Sequence, residues 1–167
     1  MKICYWLIEE NDDENYWNRL SKLDTETNYI LFEPKERPKN LELIKNNILK
    51  VKNNVNFILL ATINEKIVSY ISLNRDMLNK IKHIGYIVIG VLKDYRGLGI
   101  GSNLFNELEL WARNNKITKL ELTVICENTI AKNLYDSKGF IVEGVKKNSV
   151  FMNNKYYDEY YMGKVLK

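Results

Sequence analysis

A glycine-rich turn between a predicted strand and a predicted helix constrains the fold more than any other segment of this chain. An apolar run over residues 81–91 precedes the turn, and residues 100–114 carry apolar side chains at helical spacing. The first N–H groups of a helix have no intrahelical partner, and the helix dipole adds positive potential there. The segment therefore predicts a strand–turn–helix unit with a phosphate site at the turn. An ordinary tight turn is the alternative.

The candidate phosphate-binding residues are those of the turn itself: Arg96, Gly97, Leu98, Gly99, Ile100, Gly101 and Ser102. Glycines let the main chain approach an anion closely, and Arg96 can add a charge-assisted contact. A Walker turn needs a lysine after its last glycine, whereas Ser102 follows Gly101 directly. A dinucleotide turn needs a third glycine where Ser102 stands, and Glu121 lies inside a strand pattern instead of at its end. Neither of these two classes fits.

Hydrophobic periodicity predicts a mixed α/β fold for the whole chain. Predicted strands cover residues 2–8, 56–62, 66–73, 81–91, 119–125, 141–145 and 156–165, and predicted helices cover residues 12–23, 41–51, 100–114 and 129–137. A loop over residues 24–38 separates the first two helices. Gly85 and Gly90 interrupt the fourth strand and indicate a bulge or a close approach. With two prolines and eight glycines in 167 residues, we expect one domain over residues 1–167.

Composition excludes several classes of chemistry. Two cysteines and one histidine argue against a disulfide framework and a zinc cluster, so no metal is expected. The absence of a Gly-x-Ser-x-Gly elbow disfavours a serine hydrolase. The longest apolar stretch covers nine residues, 84–92, which is too short for a membrane span, and the acidic start is unlike a secretory signal. We expect a cytoplasmic protein with no membrane partner.

Charge is distributed unevenly along the chain. Residues 1–33 hold three basic and eight acidic groups, whereas the remainder holds 22 basic and 13 acidic groups, a net charge of +9. The later part can attract an anionic ligand, and the mild overall charge of +4 does not predict a nucleic-acid partner.

Two motifs resemble the two signatures of the GNAT superfamily of acetyl-CoA-dependent N-acyltransferases, and they occur along the chain in the same order as in that family. Arg96-x-x-Gly99-x-Gly101 is similar to the family's pyrophosphate-binding signature, and Asn128-x-x-Ala131-x-x-x-Tyr135, followed by Gly-Phe, is similar to the second. The resemblance implies a mixed, mostly antiparallel sheet of about six or seven strands, with helices on both faces and a splayed fourth and fifth strand pair. It also implies acetyl-CoA as the co-substrate.

The resemblance assigns roles to further residues. The main chain of Ile89 would contact the acetyl carbonyl, and that of Val91 the pantetheine arm, with Gly90 as the bulge position. Tyr135 would place its hydroxyl near the thioester sulfur. Asn128 and Asn133 would donate hydrogen bonds to the CoA arm, although Asn128 can also cap its helix.

The residue that would activate the amine is not assigned. Many family members carry a glutamate on the fourth strand where this chain has Gly85. His83 lies two residues earlier, hence on the same face of the predicted strand, and is a candidate base. Glu33, Glu127 and a water chain remain open.

The resemblance predicts an N-acyltransferase that moves an acetyl group from acetyl-CoA to a primary amine of a small molecule or peptide by direct attack. The alternative is a non-catalytic acyl-CoA sensor. Two copies of such a domain can pair as a homodimer, and the identity of the acceptor is not predicted.

Overall fold

A seven-stranded sheet lies between helices packed on its two faces in the computed structural model, which describes residues 2–167. The strands are β1 (Ile3–Leu7), β2 (Phe57–Ile63), β3 (Lys66–Asn74), β4 (Ile84–Val91), β5 (Lys119–Ile125), β6 (Ile141–Met152) and β7 (Lys155–Val165). The helices are α1 (Asp13–Glu26), α2 (Leu41–Lys52), α3 (Ile100–Asn114) and α4 (Thr129–Ser137). None of the helices in this described range is long and apolar enough to cross a membrane.

The strand order β1-β2-β3-β4-β5-β7-β6 is antiparallel at every step except between β4 and β5. These two strands are parallel and pair only through residues 84–86 and 119–121. Beyond Tyr86, β4 keeps its partner β3 as far as Val91 but leaves β5. The sheet therefore opens between β4 and β5, and this confirms the predicted mixed fold with a splayed pair.

Each face of the sheet has its own core. On one face, α3 and α4 bury Leu104, Leu108 and Tyr135 against β2 to β5 and β7. On the other, α1 and α2 bury Leu23 and Ile48 against β2 and β3. The apolar spacing that predicted these helices is thus the spacing of their buried faces.

The fourth strand begins later than predicted. Residues 81–83 belong to a turn in which the carbonyl of Leu78 accepts the N–H groups of Ile81 and Lys82, and β4 starts at Ile84. The strand was predicted to begin at Ile81 because this residue is apolar. Its backbone N–H, however, forms a hydrogen bond within the turn and not with a neighbouring strand. His83 therefore precedes the strand, and the argument that it shares a strand face with Gly85 was wrong.

Gly90 is not a bulge. Pairing between β3 and β4 continues without a shift from Ser69–Val91 to Asn74–Tyr86. A Cβ atom on Gly90 would lie 2.8 Å from Leu23 and 2.9 Å from Tyr70. Glycine is needed here because side chains of α1 and β3 pack directly onto the β4 backbone. Of the two explanations that the sequence offered, a bulge and a close approach, the structure shows the close approach.

Two other boundaries differ from the prediction by more than one residue. Helix α1 continues to Glu26, so the loop that follows begins at Thr27. Strand β6 extends to Met152 and forms a long hairpin with β7, interrupted by two register shifts. Its residues are largely exposed, so no buried face imposes the alternation from which a strand is recognised in sequence.

Candidate active site

A cleft of about 380 Å³ lies where β4 and β5 diverge. Residues from both faces of the sheet line it, since α1 and its following loop contribute from one side and α4 from the other. Among the predicted site residues, the cleft brings together Ile89, Val91, Arg96, Gly97, Gly99, Ile100, Gly101, Ser102, Asn128 and Tyr135.

The glycine turn forms an open backbone cradle at this cleft. Gly97 and Gly99 have φ angles of +76° and +75°, which L side chains rarely adopt. No heavy atom lies within 4 Å of a Cβ built on either glycine. The N–H groups of residues 97–102 donate to no backbone carbonyl within residues 2–167, and the first bond of α3 runs from Asn103 to Gly99. These free donors and the empty space beside them fit a phosphate group.

Arg96 stands beside the cradle with an exposed side chain. Its Nε donates a hydrogen bond to the carbonyl oxygen of Val91 at 3.1 Å. This bond fixes the orientation of the guanidinium through Nε alone, so both Nη atoms remain available to bind an anion. The side chain of Leu98 is 43% exposed and does not line the cleft, so Leu98 can contribute only its backbone N–H.

Tyr135 is the one deeply buried polar side chain of the cleft. It is 8% exposed and lies edge-on to Phe105, with ring centroids 5.7 Å apart. Burial raises the pKa of the Tyr135 phenol well above its ordinary value, because the phenolate would lose its hydration. The hydroxyl therefore keeps its proton at neutral pH, which leaves it able to donate a hydrogen bond.

The two predicted asparagines have different positions. Asn128 lines the cleft, and its Oδ1 accepts the N–H of Ala131 at 3.3 Å, so it caps α4 and keeps Nδ2 for another partner. Asn133 is exposed and does not line the cleft. The lining positions Ile130, Ala131, Leu134 and Tyr135 form one stripe of α4, and Asn133 lies outside it because of the helical period.

None of the residues considered as an amine base reaches the cleft. His83 is exposed, lies in the turn before β4 and does not line the cleft. Glu33 and Glu127 are also exposed and outside the lining. At Gly85, a Cβ would lie 2.6 Å from Leu73, so this site holds no room for a glutamate.

The resemblance implies that the loop over residues 25–37 flanks the acceptor channel, but the sequence did not single out the cleft residues within it. Thr27, Tyr29 and Ile30 follow α1 in the loop and line the cleft. Glu26, at the end of α1, accepts the backbone N–H of Lys93 at 2.8 Å and thereby ties this loop to the end of β4. No periodic pattern marks a loop, so only the fold reveals these neighbours.

Comparison with known proteins agrees with this architecture. The model of the acetyltransferase (GNAT) family matches residues 17–140. The L-amino acid N-acetyltransferase AaaT of Escherichia coli is 29% identical over 108 residues, 64% of this chain and 67% of that protein.

Solved structures share the fold over nearly the full chain. A GNAT-family acetyltransferase from Streptococcus pneumoniae has a TM-score of 0.94 at 27% identity, covering 99% of this chain and 100% of the other. The putative acetyltransferase yncA from Salmonella typhimurium, solved with its cofactor acetyl-CoA, has a TM-score of 0.87 at 15% identity, covering 100% of this chain and 95% of the other, a likeness of fold alone. The family match over residues 17–140, together with the splayed sheet and the glycine cradle, shows that the chain belongs to the acetyltransferase (GNAT) family.

Proposed function

We propose that this protein transfers an acetyl group from acetyl-CoA to a primary amine by direct attack, with both substrates bound together. The observation that carries the proposal is the cleft between β4 and β5, which combines an open N–H cradle with a buried, protonated tyrosine. The acetyl-CoA complex of the yncA structure and the activity named for the Escherichia coli relative support it.

The residues present fit acetyl-CoA at both ends of the cleft. The N–H groups of residues 97–102 and the guanidinium of Arg96 would hold the pyrophosphate. Beyond Tyr86, the edge of β4 that faces away from β3 has no strand beside it. The main chain of Ile89 and Val91 would therefore pair with the pantetheine arm and orient the thioester, which supplies the activated acetyl group.

Tyr135 would stabilise the departing sulfur by a hydrogen bond. The pKa of its buried phenol lies far above that of an ordinary thiol, near 8.5. Complete proton transfer from Tyr135 to a thiolate would therefore be uphill, whereas a hydrogen bond to the developing charge requires no ionisation. We therefore assign Tyr135 the role of a hydrogen-bond donor to the sulfur and not that of a general acid.

The ammonium group would lose one proton to water before it attacks, and the second proton would pass to water as the C–N bond forms and the C–S bond breaks, while the released thiolate takes its proton from water. Among residues 2–167, no aspartate, glutamate or histidine lines the cleft. An ordinary alkyl amine has a pKa of about 10.4, as lysine does, so its neutral fraction increases with pH below that value. The rate at low amine concentration should then rise with pH through the neutral range.

The alternative function is acyl-CoA sensing without transfer, and the missing strand glutamate is the observation that favours it. Release of free thiol from acetyl-CoA in the presence of a panel of amines separates the two functions. Amine-dependent thiol release supports the transferase. Saturable CoA binding with no thiol release for any amine would support the sensor and contradict our proposal.

A further inference from the structure

We propose that a second cavity, on the α1–α2 face of the sheet, binds the carboxylate of an amino-carboxylate acceptor; this inference rests on the proposed transfer reaction. The cavity has a volume of about 220 Å³ and lies between α1, α2, the loop after α1 and the sheet. Its walls are mainly apolar and include Trp17, Leu20, Phe32 and Ile44. Apolar walls with a few polar groups are the composition of small-molecule sites, and the volume, below the roughly 300 Å³ of a drug-sized site, suits one end of a small ligand.

The hydroxyl of Tyr16 is the first polar group of this cavity. Tyr16 is 7% exposed and packs edge-on against Tyr70, with ring centroids 5.4 Å apart. No hydrogen bond to its hydroxyl is formed by any residue from 2 to 167. The only fully buried side-chain polar atom without a partner in the same range is Arg19 Nε, so the Tyr16 oxygen keeps a small exposed surface. Tyr16 lines the cavity, and an unpaired phenol on a cavity wall is suited to a ligand.

Arg37 supplies a second donor. Its Nε and Nη2 bind the two carboxylate oxygens of the buried Asp24 at 2.6 and 2.8 Å. Its guanidinium also stacks on Phe32, 4.4 Å from the ring centroid. These contacts hold the side chain in place and leave Nη1 free of partners within the described residues 2–167.

Two asparagines of the cavity also present donors. The Oδ1 of Asn40 accepts the N–H of Leu43 at 3.0 Å, and the Oδ1 of Asn74 accepts the Nδ2 of Asn56 at 3.0 Å. The acceptor end of each amide is thus used within the protein, and the Nδ2 donors remain. This assignment of the amide ends follows from the bonds themselves.

Because the free polar groups of the cavity are hydrogen-bond donors, they favour a ligand that carries several hydrogen-bond acceptors. No aspartate or glutamate lines the cavity, so an ammonium group would find no countercharge there. A carboxylate, by contrast, accepts from several donors at once. Because Asp24 offsets the charge of Arg37, directed hydrogen bonds would hold the anion and its binding should depend weakly on salt.

The cavity and the α1 side of the reaction cleft lie on the same face of the sheet, near neighbouring positions of β4. Ser72, which lines the cavity, is the β3 partner of Val88, and Val88 is 36% exposed on the same face. Gly90, which lines the reaction cleft, lies two residues beyond Val88, about 7 Å along the strand. An acceptor with its carboxylate in the cavity would therefore need its amine at least about 7 Å away. An ω-amino acid of several methylene groups meets this requirement, whereas glycine is too short.

The test compares ε-aminocaproate with pentylamine, which differs by loss of the carboxylate. We expect the wild-type protein to acetylate ε-aminocaproate with a kcat/KM at least about tenfold higher, the effect of one hydrogen bond to a charged group. Glycine and methylamine, the short pair, should show no such difference. Tyr16→Phe removes one of the cavity's hydrogen-bond donors and should reduce the preference for ε-aminocaproate over pentylamine without changing the KM for acetyl-CoA.

A charge variant provides a second, independent test. Asn47 lines the cavity and is half-buried on α2, whereas its neighbour Asn46 is exposed. Asn47→Asp should lower kcat/KM for ε-aminocaproate about tenfold by repulsion of the carboxylate, and Asn46→Asp serves as the matched control with no effect. Equal rates for ε-aminocaproate and pentylamine in the wild type, or a preference that both cavity variants leave intact, would overturn the inference while leaving the transferase intact.

Direct binding separates failure of this inference from failure of the proposed function. Trp17 lines the cavity, so ε-aminocaproate should change its fluorescence in the wild type and not in Tyr16→Phe, with Trp17→Phe identifying the signal. If no amine is acetylated but this binding is seen, the transfer reaction fails and the carboxylate site stands. If amines are acetylated but this binding is absent, the carboxylate site is refuted.

Discussion

Replacement of Gly99 by alanine separates the structural role of the cradle from its role in binding. Gly99 has a φ of +75° at the start of α3, and an L side chain in this region costs about 1–2 kcal/mol. No heavy atom lies within 4 Å of the new methyl group, so no clash adds to this cost. We expect Gly99→Ala to lower the free energy of unfolding by about 1 kcal/mol, measured by urea denaturation.

The same methyl group should lower CoA affinity much more strongly. It would fill the open space beside the N–H groups of residues 97–102 and displace a phosphate from them. Loss of one charge-assisted hydrogen bond is worth about 1.5–3 kcal/mol, so the Kd for CoA should rise at least about tenfold in a calorimetric titration. Gly144→Ala is the matched control, because Gly144 also has open space around its Cβ but no positive φ.

The two measurements together decide the role of the turn. A loss of stability with unchanged CoA affinity would show that the glycines serve only the turn, and it would refute the phosphate assignment. Altered CoA affinity in Gly144→Ala would show that the effect is not specific to the cradle.

Three further predictions concern single side chains. Arg96→Ala should raise the Kd for CoA by about tenfold or more while leaving the free energy of unfolding within about 0.5 kcal/mol, and equal affinity by titration would exclude an anion contact. Tyr135→Phe should lower kcat about tenfold or more with little change in the KM for acetyl-CoA, whereas an unchanged kcat would remove its role at the sulfur. Burial raises the pKa of Tyr70 to about 12, above the ordinary value near 10, so the stability that it contributes should be lost as pH rises from about 10 through 12. In Tyr70→Phe, the free energy of unfolding should fall less steeply over this pH range. The same slope in the variant and the wild type would contradict this prediction.

Local patterns determined most of the fold. The helix at residues 100–114 and the strand at residues 119–125 were predicted with the observed bounds, because their buried faces impose clear periods of 3.6 and 2. Strand β4 was predicted too long because Ile81 is apolar although its backbone belongs to a turn. Strand β6 was predicted too short because solvent covers much of it.

The candidate site was predictable where backbone conformation dictates residue type. Gly97 and Gly99 are required by their positive φ angles, and the turn could be located from them alone. The loop that carries Tyr29 was expected beside the acceptor channel from the resemblance alone, whereas the contribution of Tyr16 could not be predicted, since contacts between distant segments bring it to its cavity. His83 shows the opposite error, in which a chemically suitable residue lies in the wrong place.

Initial velocities with acetyl-CoA and the best amine varied together test the central claim most directly. Direct attack with both substrates bound predicts velocity that requires the amine and double-reciprocal lines that intersect. Parallel lines would indicate an acyl-enzyme and contradict direct transfer. Velocity independent of every amine, alongside saturable CoA binding, would contradict the transferase itself.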